Sequence, residues 1–151
     1  MNSIIQKRIE ILEALFQSAE YDYKEIKTFT LEKELFNDRE KSRIINSFIF
    51  NISKIQDNLG AKFFKEILIE LREIDNFSTP MIDVIHQLEK LHIIDSLKEW
   101  DTLREIRNAL THDYSMDFDD RVENLKRAIW AYTELKMIFT KIRSYLIKTG
   151  F

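Results

Sequence analysis

Between Arg107 and Tyr114 the chain sets an arginine, an asparagine, a histidine and a tyrosine close together: Arg107-Asn108-Ala-Leu-Thr-His112-Asp-Tyr114. Each type carries a distinct chemistry. Histidine titrates near neutral pH and can exchange protons with a reacting oxygen. A guanidinium stays charged and offers a planar fork of donors suited to the oxygens of a phosphate. An amide can orient a neighbouring ring or donate to an anion. At about 100° per residue, Trp100, Leu103, Ile106 and Leu110 share one apolar side of a helix, and Arg107 falls inside it. An arginine so placed must pair, or sit where solvent or an anion reaches it. Asn108 lies on the other side, four residues before His112, a spacing that lets two side chains touch. Arg107 and His112 diverge by about 140° on a continuous helix. They converge more readily if the helix ends near Thr111, or if they meet across a two-fold axis. His112 and Tyr114 point the same way in an extended turn.

The surrounding elements are helical by expectation. The 151 residues contain only two glycines and one proline, which argues for long helices and against a turn-rich β fold. The length suits one domain, 1–151, with a single core. Residues 3 to about 22 form a first helix, with Ile4, Ile5, Ile9, Leu12, Leu15 and Phe16 at helical spacing and a capping box at Ser3 and Gln6. Residues 28–36 are either a loop or the first turns of the next helix. From Asn37, which has capping-box spacing to Glu40, a stripe runs through Ile44, Ile45, Phe48, Ile52, Ile55 and Leu59. Phe48 and Phe50 give this helix apolar groups on two faces. Gly60 kinks or ends it, and Phe63, Phe64, Ile67, Leu68 and Leu71 continue helically. Thr79 and Pro80 start another helix. Ser96 and Glu99 form a capping box for the helix that delivers Arg107. A final helix from about Asp120 to Lys148 carries Val122, Leu125, Ile129, Tyr132, Leu135, Phe139, Ile142 and Leu146. Lys126 and Trp130 lie off the centre of that stripe, where they can face a partner. The fold class is therefore all-α, an antiparallel bundle of four or five helices with one long surface free to dimerise.

Several classes of chemistry are disfavoured. The chain has no cysteine, which excludes disulfides and thiolate metal sites and fits a reducing, cytoplasmic setting. His86 and His92 stand apart, without a partner at metal-ligand spacing, and are expected at the surface or at helix ends. Asp117, Asp119 and Asp120 read as helix capping rather than as a metal site. No phosphate-cradling glycine loop is present, and neither a metal nor a cofactor is implied. No uncharged run approaches the roughly 20 apolar residues needed to span a bilayer, and the charged first helix does not look like a signal peptide. The net charge of −3 means that any nucleic-acid site must be a local basic patch, one that dimerisation can complete.

The motif, with Asn directly after Arg, resembles that of the HEPN superfamily and within it the HepT-like branch. The likeness extends upstream through Leu88-Glu-Lys-Leu-His-Ile-Ile-Asp95 and Glu99-Trp-Asp-Thr-Leu-Arg104, covering roughly residues 81–114. It implies an all-helical, homodimeric ribonuclease toxin that works beside a minimal nucleotidyltransferase antitoxin. On that reading the chain is a metal-independent endoribonuclease. The 2′-hydroxyl of RNA is the nucleophile, His112 moves protons, Arg107 stabilises charge on the phosphate and Asn108 orients the histidine or donates to phosphate. Arg104 is a further candidate for phosphate or RNA binding. A dimer bringing two copies of His112 and Arg107 into one cleft would supply both acid and base, leaving a 2′,3′-cyclic phosphate and a 5′-hydroxyl. The resemblance also implies that the partner transferase adenylylates Tyr114.

Three alternatives stand beside it. Arg107 can be an arginine at the core edge, paired with Glu99, Asp101 or Glu105 of a neighbouring copy. The protein can be a non-catalytic nucleotide- or substrate-binding subunit of a two-component nucleotidyltransferase. It can also be an inert helical dimerisation module.

Overall fold

The computed structural model describes residues 2–111 and 117–150, and every regular element among them is helical. Helix α1 spans Ser3–Ile26 and α2 spans Arg39–Asp57, with a 3-10 turn at Lys33–Asn37 between them. A π-helical turn, Asn58–Phe63, joins α2 directly to α3, Phe64–Glu70, so that 39–70 is one long rod. Helix α4 covers Met81–Lys90, α5 Leu97–Thr111 and α6 Phe118–Lys148. The described residues thus form an all-α bundle of five rods.

Side-chain pairs fix the directions. Asp22 faces Ser47 and Arg8 faces Glu66, so α1 runs antiparallel to the 39–70 rod. Phe16 stacks on Phe139, and Glu13 pairs with Arg143, so α6 also runs antiparallel to α1. Helices α2 and α6 consequently run the same way, with Phe48 against Tyr132 and Phe63 against Phe139. Helix α5 returns against the rod through Trp100 on Phe64 and Arg107 on Asp57.

The apolar stripes meet in one core. Ile5, Leu12, Phe48, Ile55, Leu135 and Ile142 are all essentially inaccessible. Ile44 and Ile129, expected on their stripes, are only partly buried at its edge. Phe50, on the second apolar face of α2, is 61 % exposed.

Helix starts follow side-chain chemistry with small shifts of register. The cap of α1 is Asn2, whose Oδ1 accepts the Ile4 N–H at 2.8 Å, rather than Ser3. That of α2 is Asp38, accepting from Lys41 N–H at 3.0 Å, rather than Asn37. In each case a neighbouring short polar residue offered the same chemistry one position away. Ser96 caps α5 as expected, accepting from Glu99 N–H at 3.1 Å. The Glu99 carboxylate accepts the Asp95 N–H at 3.0 Å, one residue earlier than a regular capping box. Asp117 caps α6, which begins at Phe118.

Helices α3 and α4 end alike. Arg72 and His92 adopt left-handed backbone angles, φ 59° and 60°. The next residue's N–H then bonds back five positions, Glu73 to Leu68 at 2.8 Å and Ile93 to Leu88 at 2.9 Å. This is the helix-ending turn that usually employs glycine.

Candidate functional site: a cleft between the long rod, α4 and α5

The π turn explains how the cleft wall is built. A Cβ placed on Gly60 would meet Cζ2 of Trp100 at 2.5 Å and Cη2 at 3.0 Å. Only glycine lets α5 approach the rod this closely. Gly60 therefore neither ends the helix nor breaks it; the chain passes through it within the π turn. Such turns recur at functional sites. The start of the turn is pinned from α1. Arg8 donates to the buried Glu66 carboxylate at 2.8 Å and to Asn58 Oδ1 at 2.8 Å. Asn58 in turn donates to the Lys54 carbonyl at 2.9 Å.

The resulting cleft encloses about 510 Å³. One wall comes from the rod: Gln56, Asp57, Gly60 and Ala61. Helix α4 supplies the apolar side chains of Met81, Ile82 and Ile85. Helix α5 closes it with Trp100, Asp101, Arg104, Arg107 and Asn108. Three of the residues singled out from sequence, Arg104, Arg107 and Asn108, thus share one cleft. His112 and Tyr114 lie outside the described residues, immediately beyond the α5 segment that ends at Thr111.

Arg107 is paired within its own chain, by a residue not foreseen. Its Nε donates to Asp57 Oδ1 at 3.0 Å and its Nη2 to Asp57 Oδ2 at 2.8 Å, a two-pronged bond. Nη1 also donates to the Thr111 hydroxyl. The hydrogen bond to Asp57 raises the Arg107 pKa further, so it remains a cation. The side chain keeps 27 % exposure, so part of the fork still faces the cleft. Within its own chain the guanidinium is thus engaged by Asp57, not by Glu99, Asp101 or Glu105. Arg104 is freer: 65 % exposed, it meets Asp101 of its own helix at 3.4 Å. Glu99, in the first turn of α5, is partly buried, and that burial pushes its carboxyl above its ordinary value of 4.5.

No family model, curated protein or solved structure matches this sequence.

Among the described residues no group of three or more His, Asp or Glu side chains is placed to hold a metal ion. His86 and His92 are exposed on and just beyond α4. No described helix is long and apolar enough to cross a membrane. Lys126 and Trp130 are exposed on α6 and line a second groove against Ile106 and Ala109 of α5.

Sequence reasoning missed Asp57 and Gln56. Gln56 left a visible signal. On the α2 wheel it falls within about 60° of Ile45, Ile52 and Leu59, an amide inside an apolar stripe just as Arg107 is a guanidinium inside one. Asp57 left none, because its meeting with Arg107 is made across 50 residues.

Proposed function

We propose that this protein is an RNA-cleaving helical toxin of the HEPN type, with the cleft on α5 as its phosphate-holding face. One observation carries the reading: α5 sets Arg104, Arg107 and Asn108 on a single cleft immediately before His112 and Tyr114. Asp57 holds the Arg107 fork in one orientation, and a pre-oriented guanidinium stabilises charge developing on a phosphate without reorganising first. The 2′-hydroxyl attacks the adjacent phosphorus as it loses its proton, and the 5′-oxygen leaves as it gains one. His112 conducts these proton movements, with the second copy of a homodimer supplying the complementary acid or base. A partner nucleotidyltransferase silences the protein by transferring AMP from ATP to the Tyr114 phenol, which loses its proton as pyrophosphate leaves. The reading is cytoplasmic and needs no metal.

The test is induced expression of wild type and His112→Ala, with growth and total RNA followed together. Growth arrest and RNA fragments ending in a 2′,3′-cyclic phosphate are expected with the wild type alone. Equal cleavage by His112→Ala would refute the mechanism.

A second reading, a non-catalytic nucleotide-binding subunit of a two-component transferase, is favoured by one feature. The cleft is the size of a small-molecule site, and Arg107 is already engaged by Asp57. Nucleotide binding without RNA cleavage, by a folded protein, would select it.

A further inference from the structure

Gln56 is 5 % exposed and lines the cleft. Among the described residues its amide has no hydrogen-bond partner. Nor is any side-chain N or O among them sealed from solvent without one. The amide therefore keeps its contact with accessible space, and the cleft is the space it lines. An amide open to the cleft is available to pair with whatever occupies it, donating through its N–H groups and accepting at its oxygen. The cleft it lines has an apolar part, Met81, Ile82 and Ile85 of α4 with the Trp100 ring, and a polar part on α5 that includes Asp101, Arg107 and Asn108. Farther along α5 stands the exposed Arg104 guanidinium.

Together these describe a ligand with a flat apolar body, an edge carrying a donor beside an acceptor, and an anionic tail. We propose that the cleft takes an adenine ring, read at its edge by Gln56, with the attached phosphate directed toward Arg104. The inference rests on the phosphate-holding reading above. Glutamine pairs with adenine through its N6 donor and an adjacent ring-nitrogen acceptor. Adenine is favoured over the other bases because it has no carbonyl. Guanine, uracil and cytosine would each bring a carbonyl against Met81, Ile82 and Ile85, side chains that offer it no donor. Asp101 at the cleft edge is compatible, because ribose hydroxyls donate. Gln56 is thus a specificity-determining residue.

The experiment titrates the full-length protein with AMP, GMP, UMP and CMP by calorimetry. It is repeated with a short oligoribonucleotide containing one adenosine and with the same strand carrying uridine there. AMP is expected to bind at least about tenfold more tightly than the other three. Gln56→Leu should bring all four within about twofold of one another. Arg104→Ala should weaken all four alike. Ala61→Phe, at the exposed rim of the cleft, should block binding without entering the core, and it covers the case in which Gln56→Leu unfolds. Preference in both probe sets assigns the adenine to RNA, and preference in mononucleotides alone assigns it to a free nucleotide. Equal binding of the four nucleotides overturns the proposal, as does an AMP preference that survives Gln56→Leu or Ala61→Phe. Adenine preference in a protein that leaves RNA intact would refute the ribonuclease reading and keep this one.

Discussion

Replacing Gly60 with alanine probes the contact on which the cleft depends. In an ordinary helix the change stabilises by about 1 kcal/mol, since alanine is the better helix former. Here the new methyl would sit 2.5 Å from Cζ2 and 3.0 Å from Cη2 of Trp100, well inside contact distance. Trp100 is itself packed edge-on against Phe64, ring centres 4.9 Å apart, and cannot retreat freely. Overpacking of this kind costs about 1–3 kcal/mol. The net expectation is a loss of up to about 2 kcal/mol. In a domain of this size a loss of about 2 kcal/mol lowers Tm by about 4–8 °C. The assay is a double-mutant cycle by urea and thermal unfolding, with Trp100→Phe as the second change. Phenylalanine lacks the outer indole ring, so Gly60→Ala in that background should be neutral or stabilising, giving a coupling energy of about 2 kcal/mol. An equal cost in both backgrounds would refute the reasoning, as would a Gly60→Ala protein more stable than wild type.

Other perturbations follow from the same structure. Arg8→Ala leaves the Glu66 carboxylate, 7 % exposed, without its cation and should cost about 3 kcal/mol by chemical denaturation; replacing both partners with methionine should recover most of that loss. Tyr132 donates to Glu20, and this hydrogen bond lowers the Glu20 pKa below its ordinary 4.5. A lowered acid stabilises the fold above that value and loses the contribution as pH falls through its folded pKa, so the stability gap between wild type and Tyr132→Phe should shrink below pH 4.5 in a pH series of melts. Glu99 has the opposite sign: its raised pKa means that stability drops as pH rises from 4.5 through the folded value. Glu99→Gln should therefore match or exceed wild-type stability at pH 7, and a clear loss there would show that the Asp95 N–H needs a charged acceptor. His92→Gly relieves a left-handed residue and should raise stability by about 0.5–1 kcal/mol, whereas the same change at His86, mid-helix, should lower it.

Most of the architecture was legible because helical periodicity is a local property. Ile45, Phe48, Ile52, Ile55 and Leu59 announce their helix without knowing what they pack against, and all are buried. Boundaries slipped by a residue at Asn2 and Asp38, where several short polar residues compete for one capping position. The first helix extends to Ile26, beyond the expected end near 22, because Tyr23 packs on Phe48 and Tyr132 and holds the last turn in place. At the site, sequence singled out Arg107 as a charge on an apolar face that needed a partner. It could not name Asp57, since a pairing between residues 50 apart leaves no periodic trace. Gln56 was visible in principle as an amide within a hydrophobic stripe, but an amide carries no charge to advertise the conflict.

The pairing of α1 with α6 bears on how the chain reaches its folded state. Tyr132 meets Glu20 across 112 positions, and Phe139 stacks on Phe16 across a similar span. During synthesis α1, the 39–70 rod and α4 emerge while the helix that covers their shared apolar faces is still unmade. The aromatic cluster of Phe16, Tyr23 and Phe48 stays open to water until Tyr132 and Phe139 leave the ribosome. Closing so long a loop slows folding relative to a bundle built from neighbouring hairpins. A nascent chain halted at α5 would therefore carry the cleft arginines on an uncovered, aggregation-prone scaffold.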